Sequence, residues 1–497
     1  MKALKKLAGQ TAVYGLPSIV GRLLNYTLVP LHTSTFVPER FGVITEMYSY
    51  VAFLVVFLTY GMETAYFRYQ TKNDSGNNST LVFSTVMISL ISTTTLFIAA
   101  ISIFSQEVAD FINYPDNSEY VVWFAFIVGL DAISSIPLAK LRIESKATKF
   151  AIANILSILV FIGLNFFWLK YCLPEYEVGN RNWIVSTFYS PHIGIGYVFL
   201  ANLFASIAKF IYLFPSYFKI QIKIDFKLLK QMLIYGSPLL IASLAIIVNE
   251  SADKIMLKWM LLDDLGKDGA NEVVGIYGAC YKLSIIITLF IQAFRYAAEP
   301  FFFSQEKNID AKETYAVIMK YFVIVCSIIF LGVTFYLDIL KYFIPSEAYW
   351  VGLKVVPILL FANIFLGIFY NLSIWYKLSE KTRYGAMISV VGAIITISLN
   401  LILIPSIQYM GSAWATFICY GSMVVLSYYF GQKYYPINYP VKRVLGYLLL
   451  SAGLYFVSDF LFGNFALGLK LTLNTALLLA FISVIYVLEK PKKEIIS

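Results

Sequence analysis

The sequence predicts an all-α fold, a polytopic membrane protein of about fourteen transmembrane helices with both termini in the cytoplasm. Three observations carry this expectation. Of 497 residues, 59% are hydrophobic and only 13% are charged, about half the charged share of a soluble domain, and the mean hydropathy is +0.73. Apolar runs long enough to span a bilayer, about 20 residues each, recur along the whole chain. The basic residues between those runs alternate in abundance from one loop to the next. Such a composition cannot cover its own apolar surface in water, and it excludes disordered and disulfide-scaffold classes as well.

The spans fall in order at about 11–31, 43–67, 80–104, 120–139, 150–172, 193–214 and 229–251, then 273–297, 314–338, 353–372, 385–404, 411–431, 443–462 and 466–487. The opening MKALKKLAGQ has the charge of a signal peptide. The run after it, however, carries Pro17 and Arg22 and lacks a small-residue cleavage pattern, so it reads as a retained first helix. With the N-terminus inside, 27 of the 38 basic residues fall on cytoplasmic segments or inner helix ends and nine on outer segments. That asymmetry fixes the expected orientation. It also disposes of nucleic acid as the reason for the net charge of +9, since the basic residues are spread over eight segments rather than one binding face.

The chain resembles itself. Tyr14-Gly15-Leu16-Pro17 opens span one and Tyr235-Gly236-Ser237-Pro238 span seven; Phe41-Gly42-Val43-Ile44 opens span two and Val274-Gly275-Ile276-Tyr277 span eight. Leu164-Asn165 and Leu399-Asn400 close spans five and eleven. The offsets are ordered and nearly constant. Six spans per repeat give two lobes of the same orientation, expected at 1–228 and 229–432, with 433–497 holding spans thirteen and fourteen and a tail. A repeat of this kind places a cavity between the halves and suits alternating access.

Charges inside spans are costly and so face a partner or a cavity. Arg22 in span one and Lys282 in span eight are expected to bind an anionic group in a central cavity, joined by Glu46, Lys254 and Arg295. Asp131, Glu250 and Asp253 are ion-coupling candidates, while Glu63, Arg68 and Glu299 sit at cytoplasmic ends as gating candidates. Glu250 and Lys254 are four residues apart and share a helix face. The four cysteines lie in apolar runs without metal spacing, and His32 and His192 fall in predicted loops, so no metal or cofactor is called for. There is no phosphate loop of the G-x-x-x-x-G-K-[ST] kind and no large catalytic loop with paired acids, which argues against an enzyme.

Several stretches resemble bacterial polysaccharide-biosynthesis flippases: Pro38-Glu39-Arg40-Phe41-Gly42, Gly61-Met62-Glu63-Thr64-Ala65, Asp253-Lys254-Ile255-Met256 and Gln292-Ala293-Phe294-Arg295-Tyr296. That group shares a superfamily with multidrug exporters and the lipid II flippase. The resemblance implies movement of undecaprenyl-diphosphate-linked oligosaccharide across the bacterial inner membrane for O-antigen, capsule or exopolysaccharide synthesis. Its implied partners are that lipid-linked glycan, membrane lipids, and the polysaccharide polymerase and chain-length machinery. Relatives often have Asp-Arg where this chain has Asp253-Lys254. An ion-coupled exporter of drugs or metabolites is the alternative on the same fold.

Overall fold

The computed structural model describes residues 20–490 apart from 22, 73–76, 222 and 307. Among the described residues every regular element is helical. The main helices are α1 (Leu28–Thr35), α2 (Pro38–Thr59), α3 (Met62–Lys72), α4 (Asn77–Ile103), α5 (Ser105–Phe111), α6 (Ser118–Ile143) and α7 (Ala147–Phe166). They continue with α8 (Trp183–Phe188), α9 (Gly196–Leu213), α10 (Phe226–Gln305), α11 (Ala311–Phe335), α12 (Val356–Leu372), α13 (Thr382–Tyr434), α14 (Val441–Phe462) and α15 (Leu467–Glu489).

Among the described residues, eleven helical stretches are long and apolar enough to cross a membrane. Two of these, in α10 and α13, are each a pair of helices joined at a break. In α10 the break is Gly266 (φ 69°, ψ 177°), and in α13 it is Ile407 and Gln408 (φ 48° at Gln408), just after Pro405. The Gly266 conformation is open essentially to glycine alone. Of the expected first span, 11–31, residues 11–19 and 22 lie outside the described residues.

Two expectations need correction. Span seven does not end near 251, and the loop expected at 252–272 is helical on both sides of Gly266. Asp253, Lys254 and Lys258 find partners inside the fold, so the helix has no reason to stop where the apolar run stops. His32 is not in a loop: it lies buried on α1, with its Nε2 2.7 Å from the Asn165 Oδ1 at the end of α7.

Helix ends follow local chemistry. Pro38 sits at the first position of α2, where a missing N–H costs nothing, and Tyr60 caps that helix in the left-handed region. Gly61 follows at φ +74°, and a Cβ there would lie 2.6 Å from the Gly236 carbonyl oxygen. Only glycine fits both the angle and the approach.

By contacts the chain forms two compact units. Unit 1 holds the residues up to Ala279 together with Ala386–Ser412; unit 2 holds Cys280–Gly385 and the residues from Ala413 onward. Unit 1 has a core of Met62, Tyr66, Phe83, Val86, Leu90, Ile136 and Met232, joining α3, α4, α6 and the start of α10. In unit 2 Phe302, Tyr315, Ile374 and Ile437 pack together. In lipid such packing, rather than escape from water, holds helices together.

Candidate functional site

The polar interior of unit 1 is built around α2. Glu46 Oε2 lies 2.9 Å from Lys258 Nζ, and both side chains are wholly buried. Tyr114 OH donates to the same Glu46 oxygen at 2.5 Å, and Tyr50 OH donates to Oε1 at 2.8 Å. Lys258 also donates to the Ile112 carbonyl at 2.8 Å, with its ammonium 3.8 Å above the Tyr114 ring. Trp259 Nε1 donates to Tyr50 OH at 2.7 Å. The network therefore ties α2, the segment after α5 and the first half of α10 into one hydrogen-bonded set, as a buried charge requires. Burial first, then the Glu46 carboxylate, raises the Tyr114 phenol well above its ordinary pKa, so it stays a donor at physiological pH.

Beside this network α2 crosses the second half of α10 with backbone against backbone. A Cβ at Gly42 would overlap the Asn271 carbonyl oxygen, one at Gly275 would overlap that of Pro38, and one at Gly278 would lie 2.6 Å from Thr45 Oγ1. Small residues allow this closeness. Gly42 and Gly275 are equivalent positions in the sequence repeat, so the repeat-related glycines meet each other. The repeat-related Asn165 and Asn400 are both fully buried as well. Asn165 meets His32, and Asn400 accepts the Ser412 hydroxyl at 2.8 Å.

A second cluster lies deeper on α10. Lys254 Nζ is 2.8 Å from Asp253 Oδ1 and donates to the Glu250 backbone carbonyl at 3.0 Å, while Tyr277 OH donates to Asp253 Oδ2 at 2.7 Å. Lys254 thus has Asp253 as a carboxylate neighbour and also reaches the main chain of Glu250. One turn away, the Asn249 amide donates to the Ser389 carbonyl at 3.2 Å and accepts from Thr396 at 3.1 Å, joining α10 to the first half of α13.

Asp131, on α6, faces α9. Lys209 Nζ is 2.6 Å from its Oδ1 and the Ser206 hydroxyl 3.0 Å from the same oxygen. Glu63 pairs with Arg142, and Arg68 lies 4.2 Å over the Tyr235 ring. In unit 2 Glu299 lies 2.7 Å from Lys377 and 3.6 Å from Arg295, which also sits 4.3 Å over the Tyr370 ring. Lys282 is half-buried in unit 2. Arg22 lies outside the described residues.

The structure therefore brings Glu46, Asp131, Asp253, Glu63 and Glu299 each against a basic side chain. Sequence reading missed Lys258, Lys209 and Tyr114 as partners. Lys258 stands seven residues past the apolar run of span seven and Lys209 near the inner end of span six, so in sequence both read as charges beside a span rather than as partners inside the fold. The available signal was their helical register within Lys254-Ile255-Met256-Leu257-Lys258 and Ser206-Ile207-Ala208-Lys209.

Comparison with known proteins places this fold. The lipid II flippase MurJ, in an inward closed conformation, is 14% identical with a TM-score of 0.73, covering 95% of this chain and 98% of that one. An inward-facing multidrug resistance MATE family transporter of the MOP superfamily is 13% identical with a TM-score of 0.66, covering 86% and 97%. An outward-facing transporter of the same family gives 0.59 at 13% identity, covering 87% and 98%. At such identities the likeness is one of fold: that of flippases and transporters. No curated protein matches the chain by sequence. A sequence profile described as polysaccharide biosynthesis protein matches residues 7–306, more than half of a chain whose fold is that of membrane flippases and exporters, and on that ground the chain belongs to the polysaccharide biosynthesis protein family.

Proposed function

We propose that this protein flips an undecaprenyl-diphosphate-linked oligosaccharide across the bacterial inner membrane by alternating access, with fourteen spans in two six-helix lobes plus a final pair and both termini cytoplasmic. Family and fold support a membrane flippase or exporter. One observation favours an anionic headgroup over a cationic drug. Five of the acids within candidate spans, Glu46, Glu63, Asp131, Asp253 and Glu299, are each matched by a lysine or arginine of the chain itself. A cationic substrate needs an uncompensated carboxylate; these five are compensated. Arg22 and Lys282 are then the groups suited to a diphosphate, by bidentate contact and point charge respectively.

The physical task fits this arrangement. A diphosphate and its sugars do not cross hydrocarbon unaided, whereas the polyprenyl tail never has to leave it. An ion acting through Asp131 or Asp253 must compete with Lys209 or Lys254, so coupling there means exchanging a resident cation for a mobile one. Delivery of the flipped glycan to a polymerase and chain-length machinery is part of the same reading.

The test is surface polysaccharide in a deletion strain complemented with Arg22→Ala or Lys282→Ala. Both variants are expected to abolish it at normal protein level. Normal polysaccharide in both, or loss of drug resistance as the only phenotype of the deletion, overturns the reading in favour of a drug or metabolite exporter.

A further inference from the structure

We propose that unit 2 binds the headgroup of an anionic phospholipid at its cytoplasmic end, where α13 begins and where it finishes. Three cations meet there on two touching rings. Lys381 Nζ lies 3.9 Å from the centre of the Tyr434 ring and Lys433 Nζ 5.6 Å from the same ring. The Arg383 guanidinium lies 5.6 Å from the centre of the Tyr384 ring. The two rings are 5.0 Å apart and their phenols share a hydrogen bond of 2.7 Å. The buried Trp375 stacks against Tyr434 with the ring planes 19° apart. All six residues belong to unit 2.

The charge of this cluster is uncompensated. Elsewhere in unit 2, Arg295 and Lys377 lie against Glu299, and Lys320 and Arg443 against Glu489. Among the described residues no carboxylate pairs with Lys381, Arg383 or Lys433, and Glu380, next to Lys381 in the chain, makes no ion pair. Topology asks only that basic residues lie on the inner side. It does not require three of them to share two rings, where they repel one another. An anion held among them removes that repulsion, and the donors present suit a phosphodiester. Arg383 offers a planar fork and the two ammoniums point charges. The phenol pair uses one of its hydrogens internally and keeps the other to donate.

The neighbouring surface says which phosphate. Between Ala413 and Gln432 every exposed side chain of α13 is apolar or aromatic: Trp414, Ile418, Val425, Tyr428 and Tyr429. Trp414, Ile418, Val425, Tyr429 and the exposed Lys433 follow one another at steps of four and seven, so they form one stripe. Its length is about 28 Å, close to the hydrocarbon thickness of about 30 Å, with aromatic rings toward both ends as at lipid interfaces. A free phosphate or an acidic soluble partner gains nothing from such a stripe. A second copy meeting this face symmetrically would set three cations against three. A phospholipid uses both features, with its phosphate among the cations and an acyl chain along Tyr429 and Val425. The site rests on the orientation expected from the basic-residue asymmetry, and not on what the protein transports.

The test is native mass spectrometry of the purified full-length chain in detergent, titrated with phosphatidylglycerol or with phosphatidylethanolamine of the same acyl chains. The wild type is expected to retain phosphatidylglycerol in preference. Lys381→Ala/Arg383→Ala/Lys433→Ala should bind it about a hundredfold more weakly, about fivefold for each charge removed. Lys223→Ala/Lys227→Ala/Lys230→Ala takes the same charge from exposed lysines of unit 1 and is expected to leave retention unchanged. Should the first triple variant fail to fold, Arg383→Gln/Lys433→Gln alters only exposed side chains and should weaken binding about 25-fold. Equal retention of the two lipids overturns the site. So does equal loss in the two triple variants, which would reduce the effect to general surface charge. Displacement of the lipid by an equal concentration of inorganic phosphate would make this a soluble-anion site, and a lipid-free dimer that the first triple variant splits would make it a contact between copies; either overturns the proposal.

Discussion

Lys258 Nζ lies 2.9 Å from Glu46 Oε2 with neither side chain reaching solvent, so the two charges depend wholly on each other and on their hydrogen bonds. Removing one partner strands the other in a medium that cannot solvate it. Lys258→Met is expected to destabilise the protein by about 3–5 kcal/mol. The double variant Glu46→Gln/Lys258→Met restores much of that loss, because Gln still serves Tyr114 and Tyr50. Thermal unfolding of the four proteins in detergent measures the coupling. Additive losses would mean that the pair is not the unit of stability.

The crossing of Gly42 and Gly275 is a contact that transport has to undo, if α2 and the second half of α10 part during alternating access. A Cβ built at Gly278 would lie 3.1 Å from the Thr45 Cβ, close to the span a disulfide requires, about 3.5–4.5 Å. Thr45→Cys/Gly278→Cys is expected to cross-link under mild oxidant and to stop polysaccharide export, with reductant restoring it. The native Cys172, Cys280, Cys326 and Cys419 are all buried and do not compete. Full export by the cross-linked protein would show that these helices move as one.

What could be read beforehand was set by the physics of each feature. Span positions from 79 onward follow the apolar runs closely, since lipid demands an unbroken helix wherever the sequence is apolar. That logic fails at 252–272, where helix persists through Asp253, Lys254 and Lys258 because each finds a partner within the fold. Individual acids such as Glu46 and Asp131 were recognisable as special from their cost in a membrane. Their partners were not, because pairing depends on which helices meet: Glu46 finds its lysine 212 positions away, and Asp131 finds Lys209 78 positions away on α9. Repeat glycines were visible as a pattern, and only the fold shows that Gly42 and Gly275 touch.

Asp131 carries a built-in counter-ion. With Lys209 Nζ at 2.6 Å, an external sodium ion has no vacant carboxylate to bind. Exchanging sodium for choline is therefore expected to leave the unfolding temperature of the wild-type protein unchanged. Lys209→Met removes the resident charge and opens Asp131 to a mobile cation, so its unfolding temperature should rise with sodium, in proportion to the logarithm of the concentration above the dissociation constant. A sodium-dependent wild type, or a variant indifferent to sodium, contradicts this assignment.

Tyr114 gives the buried network an alkaline limit. Burial and the Glu46 carboxylate hold its phenol well above its ordinary value in the folded protein, whereas an unfolded tyrosine titrates near about 10. Above that pH the unfolded chain releases a proton that the folded chain keeps. The stabilisation is therefore complete below pH about 10 and is lost as pH rises toward the folded-state value, at about 1.4 kcal/mol per pH unit. Tyr114→Phe removes this proton and should flatten the fall of unfolding temperature with pH above 10, while lowering the plateau because Glu46 loses a donor. Tyr189, raised to about 12 by burial, continues to contribute in both proteins, so the slope shrinks rather than vanishes. Identical slopes for the two proteins would mean that Tyr114 opens to solvent before unfolding, and that the Glu46–Lys258 network is looser than its geometry.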